Sequence, residues 1–206
     1  MQRLVLVTLS CLFLSAVTYS QPWSPNDYYL HAGIGFPSNP DRFFDYWSPG
    51  LTLGGGLGFK VGQSTAVVIL VDYARFTVDE ERFFKGIQLS SSENSITGGV
   101  TNIVAVSPLF RYFPKESQII PIFLFAGGSL AFSSIGQTTA TYSGYSVSQD
   151  SETHVGFSLV LGGGLSFAIA PTTDCFVQGR FALGLTDDDR ANSHFSPITV
   201  GIRTSL

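Results

Sequence analysis

Hydrophobic residues recur at every second position along most of this chain. In residues 28–36 they alternate with glycine and polar residues, and residues 51–61 and 65–76 repeat the pattern. Successive side chains of a β-strand point to opposite faces, so a period of two places the hydrophobic residues on one face. Each segment therefore predicts a strand with one hydrophobic face and one face of small or polar residues.

The same period continues to the end of the chain and predicts eight strands in all. The five later segments are residues 100–113, 118–132, 154–168, 175–185 and 195–206. Residues 118–132, the fifth strand, are hydrophobic on both faces, so the pattern leaves the phase of this strand open. The phrase Leu-x-Leu-Gly-Gly-Gly-Leu-x-Phe occurs at residues 51–59 and again at 159–167. Glycines on the polar face are expected where a narrow barrel would otherwise be overfilled.

The connections between the predicted strands alternate between short and long. The short ones are residues 62–64, 114–117 and 171–174, and the long ones are residues 37–48, 78–97, 133–153 and 186–194. Strict alternation puts every short turn at one end of the sheet and every long loop at the other. Short periplasmic turns and longer outside loops are the layout of outer-membrane barrels. The predicted fold is therefore all-β, an eight-stranded antiparallel up-and-down transmembrane β-barrel.

The composition supports a surface that meets something other than water. Charged residues make up 13% of the chain, against ~25% in soluble domains. Transmembrane helices at residues 119–132 and 155–170 are an alternative, but both segments are shorter than the ~20 residues a helix needs, and glycine disfavours helix. A soluble lipocalin-like barrel would carry its charges on the outer face, whereas here they fall mainly in the long loops.

The N-terminus has the parts of a secretory signal. A short cationic start is followed by a hydrophobic stretch and by small residues up to Ser20, which predicts a signal peptide at residues 1–20 and a barrel domain at residues 21–206. A lipoprotein signal before Cys11 is disfavoured, because Thr8 stands where such a signal has leucine. Removal of the leader leaves Cys175 without a cysteine partner, so we expect no intrachain disulfide and no zinc cluster.

At this point the chain resembles the small bacterial outer-membrane barrels of the OmpA and OmpX type, over residues 26–206. In that family a C-terminal signal is read by the barrel-insertion machinery, and Thr199, Gly201 and Leu206 match it in kind, although Leu206 is not aromatic. The resemblance implies location in the cell outer membrane, with lipids and lipopolysaccharide as partners. A net charge of −4 without a basic patch excludes nucleic acid as an expected partner.

Five charged residues fall on the predicted inward face of the barrel. They are Lys60, Asp72, Arg111, Arg180 and Arg203. Buried charges are paired or hydrated, so we expect a polar network around Asp72 and Arg180. This set contains more cations than carboxylates, and the sequence does not balance it. A conducting or gated pore is the alternative to structural filling, but eight strands leave an interior just wide enough for side chains.

Candidate catalytic pairs are few. A His-Ser pair on the outer face of a barrel could modify lipid, and His194 with Ser196 is the best candidate, with Asp187, Asp188 and Asp189 nearby in sequence. His154 and Ser158 share a face but stand roughly 13 Å apart along a strand. We therefore expect no catalytic site, no cofactor and no metal, and keep a lipid-modifying enzyme as the alternative.

Acidic and aromatic residues cluster near the predicted membrane boundaries. The acidic runs at residues 79–81 and 187–189 are expected to be solvated loop tips, with divalent cation binding as the alternative. Aromatic residues near strand ends predict two interfacial belts. They are Tyr28, Phe59, Phe110, Tyr112 and Phe167 at the short turns, and Phe36, Tyr73 and Phe132 at the long loops. The function expected is that of a non-enzymatic barrel with four surface loops, used for interaction or envelope integrity, its surface ligand unknown.

Overall fold

The computed structural model describes residues 25–39, 45–86, 94–114, 121–142, 145–185 and 194–206. The predicted signal peptide at residues 1–20 and the acidic run at residues 187–189 lie outside the described residues. The signal peptide and the division into leader and barrel domain therefore stay predictions.

Eight strands close into one antiparallel barrel. They are β1 (Asp27–Asn39), β2 (Gly50–Lys60), β3 (Thr65–Phe76), β5 (Thr101–Tyr112), β6 (Ile122–Ile135), β9 (Glu152–Ala170), β10 (Thr173–Gly184) and β11 (His194–Ser205). Their order around the wall is β1-β11-β10-β9-β6-β5-β3-β2. Because β1 pairs with both β11 and β2, the sheet has no free edge. The predicted fold class is confirmed, and each predicted strand overlaps one strand of the barrel.

The fifth predicted strand, β6, has its phase settled by packing. Phe123 and Phe125 are buried in the interior, whereas Leu124 and Phe132 are exposed on the outside. The described parts of the two segments considered as transmembrane helices belong to β6 and β9 instead. Within the part of the chain that the structure describes, no helix is long and hydrophobic enough to cross a membrane.

Two of the predicted long loops contain regular structure that the sequence pattern did not reveal. A short helix, α1 (Glu80–Gly86), and β4 (Ser95–Gly98) lie in the loop predicted at residues 78–97. The loop predicted at residues 133–153 contains β7 (Thr138–Tyr142) and β8 (Tyr145–Gln149). The three strands form a separate sheet in the order β4-β7-β8, which we call the external sheet.

The short connections of the barrel meet at one end, which we call the short-turn end. The connections from β2 to β3, from β5 to β6 and from β9 to β10 lie there, together with the start of β1 and the end of β11. The opposite end, the long-loop end, carries α1 and the external sheet. The predicted alternation of short and long connections therefore places the two ends of the barrel correctly.

The two faces of the barrel wall differ as the alternation predicts. Outward side chains are large and hydrophobic, whereas the interior holds two hydrophobic clusters and most of the charged groups of the wall. One cluster fills the half near the short turns, and its members are Tyr29, Ala66, Val68, Leu70, Leu109, Phe123, Phe125, Val160 and Phe176. The other lies near the long loops, and its members are Ala74, Phe76, Ile103, Ala105, Ala131 and Phe195.

Candidate functional site in the barrel interior

A fully buried carboxylate lies near the middle of the interior. Both oxygens of Asp72 accept hydrogen bonds from the Arg180 guanidinium, at 2.6 Å each, in a bidentate pair. The Nε2 atom of His31 lies 2.6 Å from Asp72 Oδ1. Asp72 is 0% exposed, so its charge depends on these two partners, because an unpaired buried charge is strongly unfavourable.

The sheet register brings two of these residues together through a glycine. Gly54 of β2 lies opposite Asp72 of β3 and opposite His31 of β1, so all three residues stand in one row of the wall. A Cβ atom at Gly54 would lie 2.5 Å from both Asp72 Oδ1 and His31 Nε2. The missing side chain therefore provides the space in which the carboxylate and the imidazole meet.

A second buried cation is held mainly by aromatic rings. The guanidinium carbon of Arg111 lies 4.3 Å from the ring centre of Phe123 and 4.7 Å from that of Tyr29. Its Nη2 atom donates a hydrogen bond of 3.1 Å to Oε1 of Gln178. Cation–π contacts are most favourable where water is excluded, and Arg111 is buried among these rings. This group occupies the interior close to the short-turn end.

The other charged residues of the inward face lie at the rim of the barrel, at its short-turn end. Arg203 forms an ion pair with Asp174. Asp27 accepts a hydrogen bond of 2.5 Å from the Ser205 hydroxyl and lies 4.0 Å from the ammonium group of Lys60. The side chain of Lys60 is 57% exposed, so it belongs to the wet rim rather than to the buried interior.

The structure supplies the carboxylates that the sequence prediction lacked. Asp27 is the first residue of β1 and Asp174 the second residue of β10, and sequence reasoning left both out of the inward set. The two-residue period could have found them, since Asp174 has the same parity as Arg180. With Asp72 they bring three carboxylates to this set, which pair with Lys60, Arg180 and Arg203, whereas Arg111 is held by aromatic rings and Gln178.

A small cavity with a mixed lining lies on the long-loop side of the Asp72–Arg180 pair. Its polar lining includes Ser107, Ser129, Ser158 and His194. The Ser107 hydroxyl donates to Ser129 Oγ at 2.9 Å, whereas Ser158 Oγ and His194 Nε2 have no hydrogen-bond partner among the described residues. A cavity of this kind suits ordered water, which satisfies buried polar groups. The hydrophobic cluster around Phe123 separates it from the short turns.

The structure does not assemble either candidate catalytic pair. The imidazole of His194 is buried beside the cavity, and Ser196 Oγ instead accepts a hydrogen bond of 3.5 Å from the Ala182 amide. His154 Nε2 lies 3.1 Å from a carboxylate oxygen of Glu152, and no hydrogen bond joins His154 to Ser158 among the described residues.

Asp79, in the first acidic run, has a structural role. Its carboxylate accepts a hydrogen bond of 3.1 Å from the Arg82 amide, which caps the N-terminus of α1. Its other oxygen lies 3.4 Å from the Ser48 hydroxyl and 3.3 Å from Arg82 Nε. Glu80 and Glu81 fall in the first turn of the same helix, where negative charge is favourable.

The aromatic residues predicted for two belts point outward from the wall. Seven of them are 40% to 50% exposed, and Phe59 is half-buried. Tyr73, near the long-loop end, donates a hydrogen bond of 2.7 Å to the Asn102 side chain, so its ring faces outward while its hydroxyl finds a polar partner. This is the behaviour of tyrosine at a boundary between hydrocarbon and water.

Together, the closed sheet, the hydrophobic outer face and the interior of ion pairs and hydrophobic clusters define a transmembrane-type eight-stranded β-barrel with a filled lumen. This is the architecture of the small outer-membrane barrels of the OmpA and OmpX type. The chain's own strand order, register and alternation establish it.

Several solved barrels have a similar backbone course. Neisserial surface protein A has 13% identity and a TM-score of 0.46, covering 87% of this chain and 97% of its own. The N-terminal barrel domain of Pseudomonas aeruginosa OprF has 12% identity and a TM-score of 0.43, covering 88% and 98%. A major outer membrane protein from Thermus thermophilus has 13% identity and a TM-score of 0.49, covering 89% and 100%. No protein-family model and no curated protein matches the chain.

Proposed function

We propose that this chain is a non-enzymatic protein of the cell outer membrane, a rigid barrel that presents loops and the external sheet at the cell surface. Its immediate partners in this proposal are outer-membrane lipids and lipopolysaccharide around the wall. The barrel-insertion machinery handles the chain during assembly.

The observation that carries this proposal is the outward hydrophobic surface of the closed wall. Every barrel strand exposes large hydrophobic side chains on its outer face, and Leu51 is 76% exposed. Soluble monomers rarely expose a continuous hydrophobic patch of more than a few hundred Å². A surface of this kind around a closed sheet is favourable in hydrocarbon, where a barrel satisfies all backbone hydrogen bonds internally.

The filled interior supports a structural role rather than conduction. Arg111 and its aromatic neighbours occupy the lumen near the short turns, and the Asp72–Arg180 pair bridges it at mid-height. The strands β3 and β10, which carry Asp72 and Arg180, are not neighbours in the sheet, so the pair ties distant parts of the wall together. A rigid wall of this kind can hold surface segments in place.

The proposal is tested by membrane integration. The protein refolded into liposomes is expected to migrate differently on gels before and after boiling, and its strands are expected to resist trypsin while the surface segments are cut. Quantitative release of the protein from membranes by alkaline carbonate, without detergent, would contradict an integral barrel.

A further inference from the structure

One charged side chain points outward from the barrel wall. Arg75, near the end of β3, is exposed, whereas its neighbours Ala74 and Phe76 are fully buried on the inward face. The other charged residues of the eight barrel strands, as the structure describes them, lie on the inward face or at its rim. Charged side chains on a lipid-facing wall are tolerated only near the membrane interfaces. Arg75 therefore marks the interface at the long-loop end.

The wall beside Arg75 is hydrophobic on the side of the short turns. Tyr73 precedes Arg75 on the same face of β3, and it lies opposite Leu53 of β2 and Val104 of β5. The residues Tyr73, Leu53 and Val104 are 42%, 57% and 40% exposed. Residues two apart in a strand share a face, so this row points outward together with Arg75. We call these three residues the hydrophobic row.

The next row of the wall becomes polar at Arg75. Its partner on one side is Leu51 of β2, which is 76% exposed. Its partner on the other side is Asn102 of β5, and Asn102 in turn lies opposite Ser134 of β6. A guanidinium, an amide and a hydroxyl thus follow one another across three strands. All three groups can donate hydrogen bonds to phosphate or sugar oxygens.

The Asn102 amide is oriented by the hydrophobic row. The Tyr73 hydroxyl donates a hydrogen bond of 2.7 Å to Asn102 Oδ1, so the amide acceptor is occupied and its NH₂ group remains for another acceptor. No hydrogen bond or ion pair joins the Arg75 side chain to a residue that the structure describes. The site therefore offers a positive charge and adjacent donors, a combination that selects an anion.

We propose that Arg75 and Asn102 bind a phosphate group of lipid A, the phosphorylated glycolipid part of lipopolysaccharide, and that Ser134 contacts its sugar. A guanidinium can bind phosphate through two parallel hydrogen bonds. The acyl chains of the same lipid lie against the hydrophobic row, whose burial free phosphate could not provide. This inference rests on the proposed location in the outer membrane, and it names the lipid that this part of the wall selects there.

Native mass spectrometry of the refolded protein in detergent micelles, with lipid A as the probe, tests the site. Arg75→Gln removes the charge and keeps a polar side chain. It is expected to weaken lipid A binding about tenfold, the effect of losing a hydrogen bond between charged groups. Arg75→Lys keeps the charge but not the planar fork, so its binding is expected to be intermediate. Lipid A binding by Arg75→Gln that equals wild type would overturn the proposal.

The matched control is Arg82→Gln. Arg82 lies in α1, outside the barrel strands, and its side chain is 58% exposed and paired with Asp79. The substitution makes the same change in net charge as Arg75→Gln, so it measures general attraction between the protein and an anionic lipid. Its lipid A binding is expected to equal that of the wild-type protein. Equal losses in Arg75→Gln and Arg82→Gln would overturn the proposal.

Changing the probe separates the possible sources of phosphate. Lipid A without its phosphates should bind wild-type protein as weakly as intact lipid A binds Arg75→Gln. Phosphatidylglycerol carries an anionic phosphate without a sugar and should bind severalfold more weakly than lipid A. Inorganic phosphate in excess should not displace lipid A. Binding that is independent of the lipid A phosphates, tighter binding of phosphatidylglycerol, or displacement by inorganic phosphate would each overturn the proposal.

Barrel integrity is measured on the same proteins by gel mobility before and after boiling and by trypsin protection in liposomes. All variants are expected to match the wild-type protein, because Arg75 and Arg82 are exposed and lie outside the interior network. Failure of the wild-type protein to insert refutes the proposed function. Correct insertion together with lipid A binding that is insensitive to Arg75→Gln refutes the lipid site alone.

Discussion

At the scale of single residues, the interior depends on a few close fits between charge and space. Asp72 receives both arginine nitrogens because the guanidinium of Arg180 crosses the lumen, and it meets His31 because Gly54 leaves room. These three contacts replace the water that a carboxylate would otherwise bind. Substitutions of Asp72 or Arg180 should therefore lower the free energy of unfolding much more than substitutions of charged residues at the rim.

Replacing Arg180 by methionine should show this difference. Arg180→Met leaves a buried carboxylate with only His31 as a partner, and removal of one member of a buried pair costs about 3–5 kcal/mol. The control Lys60→Met removes an exposed ammonium group that lies 4.0 Å from the Asp27 carboxylate. It should lower the free energy of unfolding by less than ~1 kcal/mol. Urea unfolding of the refolded protein in liposomes measures both. Equal losses would contradict the central role of the Asp72–Arg180 pair.

A side chain at Gly54 should destabilise the Asp72–His31 contact by steric clash, without any change of charge. Gly54→Val places atoms where Asp72 and His31 meet and should cost about 1–3 kcal/mol, the usual range for overpacking. Gly179→Ala is the matched control, because a Cβ there has nothing within 4 Å, and its effect should stay within ~0.5 kcal/mol. The same unfolding experiment compares the two variants. Unchanged stability of Gly54→Val would contradict the tight fit of Asp72 and His31 against Gly54.

At the scale of elements, each strand separates a hydrocarbon-facing side from a lumen side. In β9, Leu159, Leu161 and Leu165 are exposed outward, while Ser158 and Val160 are buried inward. The alternation is visible in the sequence, because most outward positions of the barrel strands carry large hydrophobic side chains. This is why the eight barrel strands could be predicted from the period of two.

A charge on the outward face should have a depth-dependent cost. Leu161 lies near the middle of β9 and Ile169 near its short-turn end. Leu161→Arg is expected to lower the free energy of folding into a bilayer by about 2–4 kcal/mol, and the control Ile169→Arg by about 0–1 kcal/mol. Folding titrations into lipid vesicles report the difference. The same cost at both positions would indicate that the wall does not cross a membrane in this orientation.

The elements that sequence reasoning missed have a physical explanation. The strands β7 and β8 alternate serine and threonine with residues of mixed character, so their period of two carries little hydrophobic contrast. They are stabilised by cross-strand hydroxyl contacts and not by burial in a core. The partners of Asp72 were partly predictable, since Arg180 was placed inward. His31 was not linked to it, because that contact depends on the register across β1, β2 and β3.

At the scale of the whole molecule, the lumen is filled at two levels inside a lipid-facing wall. The hydrophobic cluster around Phe123 fills the half near the short turns, and a second cluster that includes Phe76 and Phe195 lies near the long loops. Between them lie the Asp72–Arg180 pair and the small cavity beside it. Such packing leaves a rigid cylinder, and it disfavours the pore that the sequence left as an alternative.

Single-channel conductance in planar bilayers tests whether side chains block the lumen. The wild-type protein in planar bilayers should show no steady single-channel steps, because side chains occupy the lumen. The combined variant Val68→Gly/Leu109→Gly/Phe123→Gly removes three buried side chains from the cluster near the short turns and should allow measurable ion flow. The control Phe181→Gly removes an outward ring and should remain closed. Regular channel openings in the wild-type protein would contradict a filled lumen.

The most direct test of the central claim is the lipid exposure of one strand in a bilayer. Spin labels placed singly at residues 155–168 of β9, in protein refolded into liposomes, report collisions with oxygen dissolved in the hydrocarbon. A period of two is expected, with high accessibility at the odd-numbered residues, which include Phe157, Leu159, Leu161 and Leu165, and low accessibility at the even-numbered residues. A period of 3.6 residues, no period, or preferential contact of these leucines with a water-soluble relaxant would contradict it.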